Sequence, residues 1–413
     1  MFIGIPIAAA LGIAVVASIL IFTEVPISIV IQSMYSSMNS FIMVAVPLFI
    51  LAGLIMDEGG IAERIFDFSK SIVGWMTGGL GHVNILASLI FAGMAGSSVA
   101  DIASTGRLTT NAMTRNKYPL EYAAAVTLIT SVLATIIPPS ILMIVAASTA
   151  GVSIGAALVG GLIPGVLIAI VYMIYNYYVC KKYNYGVKQK FNWKTLGKEF
   201  IRAFPALLAP LVLLVGILSG YFTPTEAAAI AVLYMLFIAF FIYKGLTIKK
   251  LPSIFFRTAN LTGTILFIAV TAKAAGWVFE YDGLPTRVAE FISGVSDNSL
   301  VIMLMLFVFL IIVGMFMDAT AAIFILVPIL MPTVLTVGID PVFFVVFLVV
   351  LLSIGLVTPP IGVCLYATCN ITGLKIEQLS KATMPWLYVT FAILLAFIFV
   401  PQLITVPISW FDL

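Results

Sequence analysis

Two carboxylates stand inside stretches that are otherwise apolar. Asp101 closes Ala95-Gly96-Ser97-Ser98-Val99-Ala100-Asp101, and Asp318 lies in Met315-Phe316-Met317-Asp318-Ala319-Thr320. An aspartate at the centre of a bilayer costs about 2.5–3.5 kcal/mol on insertion scales. A cation, a water-filled cavity or backbone donors must offset that cost; the plainest alternative is that each carboxylate caps a half-helix. A second kind of interruption follows each carboxylate: Ile137-Pro138-Pro139-Ser140 and Val357-Thr358-Pro359-Pro360. Proline removes a backbone donor and clashes with the preceding turn, so two adjacent prolines unwind a helix and free its carbonyls. Those carbonyls, with serine and threonine hydroxyls, offer hard oxygen ligands to a small cation such as Na+. The new N-terminal ends of the half-helices direct positive dipoles at an anion. One site can therefore hold a coupling cation and a carboxylate together. The candidate residues are Ser97, Ser98, Asp101, Pro138, Pro139 and Ser140 in the first half of the chain. In the second half they are Gly314, Met317, Asp318, Thr320, Thr358, Pro359 and Pro360. The cation is expected near Ser97, Ser98 and Pro138, and near Asp318, Thr358 and Pro359. Cys369 and Asn370, just past the second break, are expected to line the same cavity.

These features belong to an internal repeat. Gly93-Met94 precedes Pro138-Pro139 by 45 residues, and Gly314-Met315 precedes Pro359-Pro360 by the same 45. At that common offset of 221, Ala146 pairs with Ala367, Leu158 with Leu379 and Pro164 with Pro385. Upstream, Gly60-Ile61, Arg64, Asp67 and Phe68 resemble Gly283-Leu284, Arg287, Glu290 and Phe291, and Pro119 and Pro341 open equivalent helices one residue out of register. Ser97 falls opposite Asp318, so the two tips are related but unequal, as an asymmetric substrate requires.

The elements that position these residues are membrane helices. Of 413 residues, 62% are hydrophobic and only 9% charged, with a mean hydropathy of +1.21; soluble domains carry about 25% charged residues. A span takes about 20 residues, and helices satisfy their own backbone in lipid. The pattern predicts spans near 3–22, 41–56, 120–150, 155–179, 205–219, 225–243, 259–279, 341–371 and 384–403. Segments 82–115 and 300–336 are apolar but broken midway, as a hairpin that enters the membrane and turns back requires. Lys181, Lys182, Lys188, Lys190, Lys194, Lys198 and Arg202 form one basic stretch, and Lys244, Lys249, Lys250 and Arg257 a second. Both are cytoplasmic by the positive-inside rule, and nucleic-acid binding is not needed to explain them. Counting spans from those loops, hairpin 82–115 enters from inside and hairpin 300–336 from outside. The halves are thus inverted, a recurring plan of secondary transporters in which interrupted segments mark the binding site. The division is a first repeat 1–180, a cytoplasmic linker 181–204 and a second repeat 205–413. An extra span or a horizontal helix near 24–40 would set the sidedness of the N-terminus.

Other polar residues have simpler readings. Thr223-Pro224-Thr225-Glu226 and Asp340-Pro341 have the form of helix starts. Lys273, seven residues before Glu280, can snorkel. Trp75, Trp277, Trp386 and Trp410 suit interfaces or packing. Three cysteines (Cys180, Cys364, Cys369) make no disulfide or metal pattern, and His82 is the only histidine. No Walker A loop is present. An enzyme would need a nucleophile, base or metal set beyond Asp, Ser and Thr. A channel remains the other class, distinguished by current far above carrier rates.

At Gly93 through Asp101, Ile136-Ile137-Pro138-Pro139-Ser140, Gly314 through Asp318, Gly338-Ile339-Asp340-Pro341 and Gly355 through Gly362, the chain resembles the large membrane subunit (DctM or M type) of TRAP transporters, the tripartite ATP-independent periplasmic carriers. The resemblance covers both halves. It implies an all-α inverted-repeat elevator fold, with both hairpins and both interrupted helices moving against a scaffold. It implies Na+ as coupling ion between tips and breaks, and no organic cofactor. It implies two partners in the bacterial inner membrane and periplasm: a small four-helix Q-type subunit and a soluble P-type binding protein. Family substrates are organic acids, among them sialic acid and C4-dicarboxylates. Some members carry the small subunit fused ahead of this domain; here it is expected as a separate chain. One departure matters: no serine accompanies Asp318, so cation ligands there lean on backbone carbonyls and Thr320. The runner-up is a stand-alone Na+-coupled dicarboxylate or citrate-type carrier without a binding protein.

Overall fold

Helix dominates because long apolar runs leave the backbone no other partner in lipid. The computed structural model describes residues 6–187, 190–296 and 298–410, so the start of the expected 3–22 span and Lys188 lie outside the described residues. The chain opens with α1 (Ile7–Phe22) and α2 (Ser28–Met38). At 11 residues α2 is too short to cross a bilayer; it and α1 both pack on the long α14 (Leu251–Tyr281). The first repeat runs α3 (Ala45–Glu58), α4 (Ile61–Val73), α5 (Gly79–Ala95), α6 (Ser98–Asp101), a π-turn over Ile102–Gly106, and α7 (Arg107–Arg115). It continues with α8 (Leu120–Thr130), α9 (Leu133–Ile136), α10 (Ile141–Ala150) and α11 (Ile154–Tyr183). Two connecting helices follow, α12 (Trp193–Leu218) and α13 (Pro224–Phe237).

After α14, the second repeat gives α15 (Leu284–Val295), α16 (Ser299–Phe316), α17 (Ala319–Thr336), α18 (Pro341–Gly355), α19 (Val363–Thr372) and α20 (Ile376–Phe399), with α21 (Gln402–Ser409) last. The order long helix, short helix, hairpin, interrupted helix, long helix thus occurs twice. Among the described residues eight helices are long and apolar enough to cross a membrane, nine if α8–α10, bent by 43° at its break, is counted as one. The protein is a multi-pass membrane protein, and among the described residues there is no strand.

Local chemistry explains the shared starts. Gly60 and Gly283 sit at φ +71° and +68°, the left-handed conformation that glycine adopts without a Cβ penalty, and launch α4 and α15. Arg64 Nη1 donates back to the Gly60 carbonyl at 2.5 Å, and Arg287 donates to the Asp282 carbonyl. The expected capping box at Thr223 is present: Glu226 accepts from the Thr223 N–H at 2.8 Å, and the Glu226 N–H donates to Thr223 Oγ1. Asp340 caps α18 through the Phe343 N–H at 2.6 Å.

Three expected span starts lie too late: α14 begins at Leu251 rather than near 259, α20 at Ile376 rather than 384, and α12 differs most. The span expected at 205–219 is α12 and begins at Trp193, so part of the basic stretch 181–204 is helical. Asn192 caps that start by accepting from the Lys194 N–H at 2.9 Å. Lys194, Lys198 and Arg202 project as exposed residues before the apolar part begins. A helix can begin in headgroup and water and then enter lipid, so the apolar window alone placed the start too late.

The repeats interlock at the centre. Pre-break α8 packs on α20 of the other repeat, and α18 packs on α11. Post-break α10 packs on α17, the returning arm of the other hairpin, while α19 packs on the π-turn, α6 and α7. The interrupted helices are therefore the core: residues 123–147 and 343–358 are buried throughout. Trp386 is the largest fully buried side chain and packs edge-on against Tyr172 and Tyr175, so its role is packing. Trp75 and Trp410 are exposed.

Candidate ion and substrate site at the paired breaks

Both Pro-Pro segments interrupt their helices. Ile137 is extended (ψ 133°) and α10 restarts only at Ile141; α18 ends at Gly355 and α19 restarts at Val363. The Pro138-Pro139 and Pro359-Pro360 peptide bonds are cis. Among the described residues no donor meets the carbonyls of 136–139, nor those of 357–361. These are the freed oxygens that proline chemistry requires. Ser140 closes the first break: it caps α10 by accepting from the Met143 N–H at 3.1 Å and donates to the Thr135 carbonyl at 2.5 Å. Thr358 Oγ1 donates back to the Ile354 carbonyl at 2.7 Å and keeps lone pairs for another partner.

Each hairpin meets a break through glycine. Gly96 sits at φ +60°, and a Cβ there would lie 2.9 Å from the Pro139 carbonyl oxygen. The first tip therefore rests directly on the first break. In the second repeat Gly314 and Gly355 touch backbone to backbone; a Cβ on Gly355 would come within 2.5 Å of Gly314. That contact holds α16 against the last turn before the second break. The two repeats then meet across the site. Cys364, at the start of α19, is fully buried, and α19 packs on α6, which carries Ser98 and Asp101.

The two carboxylates are held differently. Asp101 is 1% exposed, and each oxygen is engaged: Ser88 Oγ donates at 2.8 Å and Thr105 Oγ1 at 2.9 Å. Ser88 also reaches Thr130, which joins Asn84, and Asn84 donates to Thr127 at 2.8 Å. Asp101 thus ends a buried polar chain linking α5, the π-turn and α8. Asp318 is half-buried and caps α17, accepting from the Thr320 N–H at 2.9 Å and the Ala321 N–H at 3.4 Å. The capping alternative therefore describes the backbone side of Asp318, and one carboxylate oxygen is left without a hydrogen bond among the described residues. The Thr320 hydroxyl likewise makes none, and Ser97 accepts only one long bond, from the Ala100 N–H at 3.5 Å. Ser98 Oγ pairs with Thr135 Oγ1 at 3.2 Å.

The breaks also differ in access. Pro138, Pro139 and Ser140 are buried, whereas Pro360 and Ile361 are exposed and Pro359 is intermediate. Exposed Val363, Tyr366 and Asn370 continue along α19. On the first hairpin Val99, Ala103, Arg107 and Asn111 are exposed, one residue per turn. Met317 is intermediate and ends α16 with its N–H on the Val313 carbonyl at 2.9 Å.

Several polar residues near the site are not marked by the breaks: Asn84, Ser88, Thr105, Thr127, Thr130, Ser131, Thr135 and Cys364. A signal for most of them was available. Asn84 and Ser88, and Thr127, Ser131 and Thr135, recur at four-residue spacing in otherwise apolar helices, which places them on one face. At the repeat offset of 221 the partners of Ser88, Asp101, Thr127 and Thr130 are Phe309, Ala322, Leu348 and Leu351. The polar chain therefore belongs to one repeat only.

Comparison with known proteins adds independent findings. The family model described as "Tripartite ATP-independent periplasmic transporter, DctM component" matches residues 1–403. The chain is 36% identical over 402 residues to the sialic acid TRAP transporter large permease protein SiaM of Vibrio cholerae, covering 97% of this chain and 94% of that one. It is 34% identical to the 2,3-diketo-L-gulonate TRAP transporter large permease protein YiaN of Escherichia coli, covering 99% and 96%. It is 32% identical to the C4-dicarboxylate TRAP transporter large permease protein DctM of Pseudomonas aeruginosa, covering 97% and 94%. Among solved structures the Alcanivorax borkumensis YdaH transporter superposes with a TM-score of 0.59 at 14% identity, over 92% of this chain and 88% of that one. That likeness is one of fold.

Proposed function

The chain belongs to the DctM component family of tripartite ATP-independent periplasmic transporters, and from that premise we propose that it is the large membrane subunit of a Na+-coupled importer of an organic acid. As a member of that family it is a transporter membrane subunit and not an enzyme. The observation that carries the reading is the pair of broken helices, each with undonated carbonyls, each touched by its own hairpin through glycine. Hard oxygens and an incompletely engaged carboxylate suit Na+. Helices start at Ser98, Ile141, Ala319 and Val363, directly after the tips and breaks, and their dipoles favour an anion beside the cation.

In this reading one Na+ lies between the first tip and the first break, bound by Ser97, Ser98 and carbonyls near Pro138. Asp101 works from behind through Ser88 and Thr105, adding negative charge without direct contact. A second Na+ lies near Asp318, Thr358 and the Pro359 carbonyl, with Thr320 supplying the hydroxyl that the missing serine would have given. The substrate carboxylate takes the helix starts between them. Sialic acid, diketogulonate and C4-dicarboxylate are named for relatives, and a monocarboxylate sugar acid or small dicarboxylate is the substrate class here. Transport is by an elevator motion, the hairpins and interrupted helices moving as one body. The exposed rows on α7 and α19 lead from the tip toward Arg107 and Arg115, the cytoplasmic side by charge placement, and so fit an inward-facing state. A small four-helix subunit and a periplasmic binding protein complete the system in the inner membrane; two relatives carry names of fused or single permease proteins, SiaT and DctMQ.

The test is uptake into proteoliposomes holding the chain and its small subunit. N-acetylneuraminate, 2,3-diketogulonate and succinate are each offered with and without the binding protein encoded beside it. Uptake of one acid that needs both an inward Na+ gradient and the binding protein is expected. Uptake independent of the binding protein would favour the stand-alone carrier, and uptake indifferent to Na+ would overturn the coupling.

A further inference from the structure

A polar cavity lies away from the paired breaks. It measures about 470 Å3 and sits between α2, the end of α10, α14 and α17. Its polar lining includes Ser33, Ser36 and Ser37 from α2, Ser148 from α10, and Lys273 and Glu280 from α14. By the charge placement that puts Leu251 inside, all these positions lie toward the outer face. Lys273 sits about 10 Å along the helix axis below Glu280 at the helical rise. It is the only cation on α14 beyond Arg257.

Three observations point to a ligand. Lys273 faces the cavity yet forms no ion pair within 4.0 Å among the described residues, Glu280 included. Its ammonium lines a cavity with hydroxyls around it and no contacting counter-charge, which favours an anion there. Next, the hydroxyls of Ser33, Ser37 and Ser148 make no hydrogen bond among the described residues, whereas most serines and threonines inside the helices bond back to their own carbonyls. Unspent hydroxyls on the wall suit a ligand with hydroxyls of its own. Finally, the cavity spans the seam between α14 with α2 on one side and α10 with α17 on the other. α10 follows the first break and α17 starts at Asp318, so an occupant touches the helices that build the central site.

We propose that this cavity is an outer binding station for a polyhydroxylated organic anion, with Lys273 taking the carboxylate and the α2 serines taking its hydroxyls. The proposal rests on the importer reading for the sidedness and the substrate class. It adds a first stop whose α17 wall begins at Phe324, about 9 Å along the helix from Asp318, and runs outward to Leu335, and which the coupling ion need not visit.

The experiment reads the cavity directly and does not depend on transport. Full-length Ser37→Cys protein in phosphatidylcholine nanodiscs is modified with 2-sulfonatoethyl methanethiosulfonate or with 2-(trimethylammonium)ethyl methanethiosulfonate, and the parent protein is run alongside to subtract its own thiols. The anionic reagent is expected to react faster than the cationic one. Adding Lys273→Gln lowers that rate ratio about tenfold, as removal of a nearby unit charge requires, and Lys273→Arg preserves it. Millimolar sodium gluconate slows labelling and sorbitol does not. A ratio indifferent to Lys273→Gln, or equal effects of gluconate and sorbitol, overturns the proposal. Protection by phosphatidylglycerol in the nanodisc without protection by gluconate also overturns it and assigns the cavity to a lipid headgroup. Ser33→Cys replaces Ser37→Cys if the latter does not fold. Gluconate protection together with Na+-indifferent uptake would leave this site standing and remove the coupling alone.

Discussion

Replacing Asp318 by Asn separates its two jobs. Asparagine is as good a helix cap as aspartate, so the bonds from the Thr320 and Ala321 N–H groups at 2.9 and 3.4 Å survive. What disappears is the charge. A unit charge about 4 Å from a bound Na+ is worth about 4 kcal/mol at an effective dielectric constant of 20. The amide oxygen remains a ligand and recovers part of that, so a net loss of at least about 1.4 kcal/mol, tenfold in Na+ affinity, is expected. Asp318→Ala loses the cap as well, a further cost of about 1 kcal/mol that is present without Na+. The assay is thermal unfolding of the purified protein, with NaCl replacing choline chloride at constant ionic strength. A bound ion stabilises by RT ln(1 + [Na+]/Kd), so the curve of midpoint against Na+ reports affinity without any knowledge of the substrate. In Asp318→Asn the curve moves to at least about tenfold higher Na+ while its Na+-free midpoint stays near that of the parent. Superimposed Na+ curves for Asp318→Asn and the parent would refute the idea that this carboxylate serves a cation.

Three further outcomes follow from the packing. Ser88→Ala and Thr105→Val each leave one oxygen of buried Asp101 without its donor and should cost about 1–3 kcal/mol; unfolding midpoints equal to the parent's would show that the polar chain is not needed. Gly355→Ala drives a Cβ to 2.5 Å from Gly314 and should cost about 1–3 kcal/mol or more, whereas Gly263→Ala on α14 meets nothing within 4 Å and should be neutral or stabilising. Detergent-extracted yield and monodispersity compare the two. Glu58→Gln removes pairs with Lys250 at 3.0 Å and Arg257 at 3.2 Å. Because all three side chains are partly exposed, the loss should be at most about 1 kcal/mol and should fade in high salt; a large, salt-independent loss would contradict a surface pair.

The amino-acid sequence by itself determined the membrane class, the repeat and the places where helices break. Those properties depend on local chemistry: apolar runs long enough to span, prolines that remove donors, and glycines at φ near +70° in matching positions. Asp340, Thr223 and Glu226 cap helices as their local order dictates, for the same reason. Only the tertiary structure decided who faces whom. Nothing local to Asp101 says that Ser88, thirteen residues earlier, will share its oxygen, or that α19 of the other repeat will pack on α6. Those pairings depend on how α5, the π-turn, α8 and α19 cross, and packing between distant helices sets that. The same holds for Lys273: along α14 it reads as a snorkelling residue near an end, and only the approach of α2, α10 and α17 makes it part of a cavity wall. The start of α12 lay beyond the apolar pattern because a helix in water and headgroup is held by capping and amphipathic charge, which hydropathy does not register.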